Sequence, residues 1–147
     1  MEAMHKEQYI VYLADDDEDD LEILTGALNE ADCVSEVKWY KTADKLIQQL
    51  NTVTIETLPD LIVFDHHILA NCEEGLVRTI RRHKKLAGVA LIIYPLMVQE
   101  RIIPNLLRDG VDLLLTKGNT LEEIRQHVDI FCKIIEKKRL SVDGQKM

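Results

Sequence analysis

Four charged residues sit where this chain could do chemistry. Asp15 and Asp16 follow the apolar run Tyr9-Ile10-Val11-Tyr12-Leu13, Asp65 ends the run Leu61-Ile62-Val63-Phe64, and Lys117 follows Val111 to Leu115. Short apolar runs of strand-forming residues read as strands buried on both faces. Each run therefore delivers a charged side chain to the C-terminal end of a strand, where open α/β sheets bind ligands. Carboxylates gathered there repel one another, and one of them is expected to have a raised pKa. A hard divalent cation relieves the repulsion, and clustered carboxylates without thiol ligands suit Mg2+ or Mn2+. A lysine relieves more of it and offers a point charge to a phosphoryl group. Together these groups fit phosphoryl chemistry with an aspartate as covalent acceptor.

The elements that must position them follow from periodicity. After the first strand, the acids Asp15 to Asp20 lead into a helix from about Asp19 to Glu30, with Leu21, Leu24 and Leu28 on one face. Capping and the helix dipole account for two or three of these acids, but not for Asp15 and Asp16 at the strand end. A short second strand spans Val37 to Tyr40, a second helix Ala43 to Leu50, and a loop His66 to Glu74 follows the third strand. A helix over about Gly75 to Leu86 carries the basic run Arg78, Arg81, Arg82, His83, Lys84 and Lys85, which reads as a solvated face. Val89 to Ile93 is the fourth strand. The next helix starts or kinks at Pro104 and stops at Asp109-Gly110. A last helix opens at Thr120 with Glu123 in capping-box spacing, and Ser141 to Met147 reads as a frayed tail. Five strand–helix units with buried strands imply a flavodoxin-like (βα)5 doubly wound parallel sheet. In the strand order 2-1-3-4-5, the first and third strands are neighbours at the switch point.

Size and charge exclude other classes. The 147 residues suit one domain, expected over residues 8–138 with flexible tails at 1–7 and 139–147. A net charge of −8 argues against general nucleic-acid binding and against anionic membrane surfaces. No apolar run approaches the roughly 20 residues of a membrane span. Cys33, Cys72 and Cys132 have no metal-binding spacing, so three reduced thiols and a cytoplasmic location are expected.

Over about Gln8 to Lys138 the chain resembles the receiver domain of two-component response regulators. The resemblance rests on Leu13-Ala14-Asp15-Asp16-Asp17, Asp60-Leu61-Ile62-Val63-Phe64-Asp65, Arg108-Asp109-Gly110-Val111-Asp112, and Lys117 seven residues after Gly110. It implies that Asp65 is the phosphoacceptor and that Lys117 pairs with it or with its phosphoryl group. It also implies that Asp15, Asp16, Asp65 and the backbone carbonyl of His67 hold Mg2+, with Mn2+ as the alternative ion. The implied partners are a histidine kinase or phosphotransfer protein and a downstream protein. No direct DNA binding and no enzyme activity of its own are implied. A wide apolar face on the last helix, with Ile130 and Ile134, makes a homodimer through the fourth and fifth helices one option.

Several positions depart from that family. Pro95 falls where a Thr or Ser hydroxyl is expected, with Tyr94 before it. Leu114 replaces the aromatic three residues before the lysine, and Gly118 replaces the proline after it. Leu69 stands in the loop after Asp65 where a proline is usual, and residues 70–74 lengthen that loop by about two. A pseudo-receiver, signalling by protein contacts without phosphorylation, is therefore the alternative reading. A phosphohydrolase using Asp65 as nucleophile would want a second acid just after it, where His67 stands. A flavodoxin-type nucleotide binder would want a glycine-rich loop where the acids stand. His66 and His67 themselves read as an exposed loop pair.

Overall fold

The computed structural model describes residues 8–70, 75–97 and 100–145. Five parallel strands form one sheet in the order β2-β1-β3-β4-β5. They are β1 (Tyr9–Ala14), β2 (Val34–Tyr40), β3 (Leu61–Phe64), β4 (Ala90–Ile93) and β5 (Leu113–Leu114). The helices are α1 (Glu18–Glu30), α2 (Ala43–Leu50), α3 (His66–Ala70), α4 (Leu76–Arg82), α5 (Ile103–Asp109) and α6 (Leu121–Gln145). The parallel pairing is what the alternation of elements implies, and the order is the expected 2-1-3-4-5.

Alternation along the strands sorts the core into two layers. Val11, Leu13, Leu61, Val63, Ala90 and Ile92 face one side, against Leu24 and Leu28 of α1 and Val128, Phe131 and Ile135 of α6. Tyr12, Ala14, Ile62, Phe64, Leu91 and Ile93 face the other, against Leu46 and Leu50 of α2 and Leu76, Val77 and Ile80 of α4. The central strands are buried on both faces, as their unbroken apolar runs require.

Several boundaries differ from expectation. The stretch after Asp65 begins as a helical turn rather than a loop, because Asp65 serves as its cap. Its Oδ2 accepts from His67 N at 3.2 Å, and its carbonyl accepts from Ile68 N at 3.2 Å. The lengthened part of that loop, residues 71–74 with Cys72, lies outside the described residues. The second strand starts at Val34, earlier than expected, with a register shift between Tyr9 and Ile10 that lets polar Ser35 bond Tyr9 O. The helix expected over Gly75 to Leu86 ends at Arg82, and a 3-10 turn, Lys84–Leu86, follows. Proline 104 sits at the start of α5 and so determines where that helix begins. The expected tail from Ser141 is helical as far as Gln145.

Cys33 and Cys132 form a disulfide across 99 residues, contrary to the expected free thiols. Packing of α6 beside α1 brings Cys132 to the turn that precedes β2. The cytoplasmic expectation loses the support it drew from reduced thiols. Among the described residues, no helix is long and apolar enough to cross a membrane.

Candidate functional site

The C-terminal rim of the sheet is built by continuing the strand ladder one residue further. Asp65 N donates to Ala14 O at 2.9 Å, Tyr94 N to Phe64 O at 2.7 Å, and Lys117 N to Pro95 O at 2.8 Å. Leu13, Val63, Ile92 and Leu115 belong to the core layer on the α1/α6 side. Two residues beyond them, Asp15, Asp65, Tyr94 and Lys117 project to that same side. One position in each of four strands therefore converges on one corner.

Lys117 is the hub of that corner. Its Nζ lies 2.9 Å from Asp15 Oδ2, 3.3 Å from Asp65 Oδ1 and 2.7 Å from Asp20 Oδ2. Burial alone would lower its pKa, but the hydrogen bonds to Asp20 and Asp15 and the neighbouring negative charge outweigh burial and raise it. Asp15 is buried, and desolvation raises its pKa against the opposing effects of the Asp17 amide and Lys117. Asp17 caps α1 by accepting from the amides of Asp19 and Asp20, which accounts for one acid of the run structurally. Asp20 lies in the first turn of α1, and its contact with Lys117 comes only from the angle at which that helix leaves the rim.

The metal-ligating atoms group differently from the expected set. Both oxygens of Asp15 are engaged, Oδ1 by Asp17 N at 2.9 Å and Oδ2 by Lys117. The carboxylates of Asp16 and Asp65 and the ring of His67 instead offer ligand atoms within 4.8 Å of one another. His67 Nδ1 lies 3.3 Å from Asp65 Oδ2 and 3.7 Å from Asp16 Oδ1. The sequence points to the His67 backbone carbonyl and to an exposed loop pair, whereas α3, itself unforeseen, also turns the His67 ring toward the acids. Asp15, Asp16, Asp65, His67, Met97 and Lys117 line a cavity of about 530 Å³. Asp65 is only 5% exposed, so this cavity is its route to solvent. The donor set suits a divalent cation: two carboxylates, with a third acid behind them.

Tyr94, rather than Pro95, is level with Asp65. Its hydroxyl points past the acids, 2.7 Å from His127 Nδ1, and accepts from Gly118 N at 3.1 Å. Its ring packs edge-on to Phe131. Burial raises the Tyr94 pKa, so the hydroxyl stays protonated. Trp39 donates Nε1 to Asp15 O at 3.1 Å and has Lys41 over its ring. The basic run on α4 is only partly a solvated face. Arg81 is half-buried and binds the carbonyls of Gly110 and Val89 together with Asp112, and Arg78 pairs with Asp109.

No family model matches the sequence, and no curated protein does either. Solved structures match well in shape. The phosphorylated cyanobacterial phytochrome response regulator RcpA shares 19% identity at a TM-score of 0.68, over 82% of this chain and 89% of its own. A response regulator from Chloroflexus aurantiacus shares 19% at 0.70, over 88% and 98%. A response regulator solved in its Mn2+-bound form shares 16% at 0.65, over 82% and 88%. The fold is that of response regulator receiver domains.

Proposed function

We propose that this chain is a receiver that takes a phosphoryl group onto Asp65 in a two-component phosphorelay, and that it signals through protein contacts. The observation that carries the reading is Lys117, which bridges Asp15 and Asp65 at 2.9 and 3.3 Å on one corner of the sheet. In the reaction, an Asp65 oxygen forms a bond to phosphorus while the bond from phosphorus to a donor imidazole nitrogen breaks. The leaving nitrogen keeps the electron pair. Lys117 stands beside the attacked group with its charge secured by its raised pKa, so it stabilises negative charge that develops on the phosphoryl oxygens. Asp16 and Asp65 would hold Mg2+, or Mn2+ in its place, with Asp15 behind them and the His67 carbonyl as a further donor. A bound divalent ion supplies charge neutralisation for the incoming phosphoryl group. The donor would be a histidine kinase or a phosphotransfer protein. The exposed Leu107 of α5 and Ile130 of α6 keep a homodimer through these helices among the proposals.

The pseudo-receiver reading draws on one observation. The Tyr94 hydroxyl is bound to Gly118 and faces His127, turned away from Asp65, so no hydroxyl at the end of β4 stands ready to grip a phosphoryl oxygen. Intact-mass spectrometry decides between the two. After incubation with Mg2+ and a small-molecule phosphodonor, a single phosphoryl adduct is expected, absent in Asp65→Asn. No adduct in the unaltered chain rejects the phosphoacceptor and leaves the interaction module.

A further inference from the structure

We infer that the imidazole of His67 is a direct third ligand of the metal site, and that the site thereby prefers divalent ions of the Mn2+-to-Zn2+ series over Mg2+. The inference rests on the proposed metal site at Asp16 and Asp65 and adds to it a ligand and a metal class.

The resemblance assigns only a backbone carbonyl to the second residue after the acceptor. In this chain the side chain also comes to the acids. The cause is local. Asp65 caps the first turn of α3, and His67 N donates to Asp65 Oδ2, the same oxygen that His67 Nδ1 faces at 3.3 Å. The backbone hydrogen bond fixes where the ring starts, and Asp16 Oδ1 on the neighbouring strand end lies 3.7 Å from the same nitrogen.

The spacing suits direct ligation. Bonds of about 2.0–2.2 Å place adjacent ligands of one ion roughly 3 Å apart and opposite ligands about 4.2 Å apart. The three groups, all within 4.8 Å, need only small side-chain movements to close on an ion. The Asp65 backbone is held by the sheet ladder and that of His67 by the cap, and Asp16 directly follows Asp15, whose amide bonds Tyr40 O.

The chemistry then selects the ion. Carboxylate oxygens accept Mg2+ and Mn2+ alike, whereas an imidazole nitrogen favours the later first-row metals. Mg2+ dehydrates reluctantly and keeps its waters, so it gains least from a nitrogen ligand. A two-carboxylate, one-imidazole set therefore adds affinity along the series from Mn2+ to Zn2+ and little for Mg2+. His67 is mostly exposed and touches the ion site from the solvent side, so its removal leaves the core intact.

Calorimetric titration with Mg2+, Mn2+ and Zn2+, each alone, tests the inference on the full chain and on His67→Ala and His67→Asn. Removal of the imidazole is expected to weaken Zn2+ and Mn2+ by about tenfold or more while Mg2+ changes less than about twofold. In the unaltered chain, the ring-proton resonances of His67 should shift when Zn2+ is added, which keeps the test decisive if a variant folds poorly. Unchanged Zn2+ and Mn2+ binding in both variants, with no ring-proton shift, overturns the inference and leaves the Mg2+-dependent acceptor standing. Tighter binding of all three ions after removal also overturns it, since the ring would then be a cationic competitor at the acids. If the unaltered chain binds no divalent ion, the metal site itself fails. The phosphoryl adduct on Asp65 remains a separate measurement.

Discussion

The two ends of the sheet both gather carboxylates, and they balance them in opposite ways. At the N-terminal end, Asp60 precedes β3 and Asp112 precedes β5. Asp112 accepts from Leu91 N at 2.8 Å, Arg81 at 2.9 Å and Lys138 at 3.0 Å. Asp60 accepts from Ile10 N at 2.8 Å and pairs with Arg139. Two acids there meet three cations and two strand amides. At the C-terminal end, Asp15, Asp16, Asp20 and Asp65 share Lys117 and the ring of His67. The first arrangement is neutralised and ties loops to strands. The second carries uncompensated negative charge beside an open cavity. Among the described residues, excess charge at an open rim is what marks the site, more than the presence of buried acids.

Breaking the balanced end has the largest expected effect. Arg81→Ala removes the guanidinium that links Asp112, Gly110 O and Val89 O, and should cost about 2–4 kcal/mol, since it takes from a partly buried carboxylate one of its two cations and from several carbonyls this donor. Urea unfolding should show a midpoint lower by about 1–2 M, while the phosphoryl adduct on Asp65 still forms in the folded protein. Loss of the adduct at unchanged stability would contradict the division between the two ends.

At the acidic end, the sign depends on which partner is removed. Lys117→Met leaves the acids without their shared cation and should lower stability by about 2 kcal/mol in the absence of divalent ions. Added Mg2+ should restore part of that loss in a melting experiment. Asp65→Asn should instead raise stability by about 1 kcal/mol without metal, because it removes one of the repelling charges and keeps an acceptor for His67 N. A fall in its melting temperature would show that Asp65 is held like Asp112, as a structural acid.

The smallest effect lies in alkaline titration. The pKa of Lys117 is raised in the folded state, so its stabilisation is complete below the ordinary ammonium value and is lost as pH rises through the folded one. Stability above about pH 10 should therefore fall more steeply in the unaltered chain than in Lys117→Met. Tyr9, Tyr40 and Tyr94, whose pKa values are also raised, contribute a fall of the same sign to both proteins. Equal slopes would mean that Lys117 is no better neutralised in the fold than in the unfolded chain.

The acids of the two ends were not equally legible. Asp15, Asp65 and Lys117 stand out because the first two directly end apolar runs and Lys117 follows one after a single threonine, and the period of two along a strand then puts them on one face. Asp112 and Asp60 look similar in sequence, one residue before a run rather than after it. Their partners Arg81, Lys138 and Arg139 come from 26 to 79 residues away, on α4 and α6. The basic run on α4 looked solvated because nothing local shows that Arg81 turns inward beneath Gly110. Gly110 itself was legible as a helix stop, and its φ of +116° bears that out. A side chain there would strike Arg81, with a built Cβ only 2.8 Å from its stem.

The sequence by itself determined the layer architecture and which charged residues reach the rim, and these follow from short-range periodicity and from where apolar runs end, both properties of neighbouring residues. The strand order was an expectation that came with the fold family, since alternation of strands and helices is compatible with more than one doubly wound order. Only the tertiary structure decided which groups meet. Lys117 reaches Asp20, the Tyr94 hydroxyl turns to Gly118 and His127, Cys33 bonds Cys132, and the His67 ring faces Asp16. Each of these depends on the angle at which a helix leaves or crosses the sheet. Packing of whole faces sets that angle, and no local stretch of sequence encodes it.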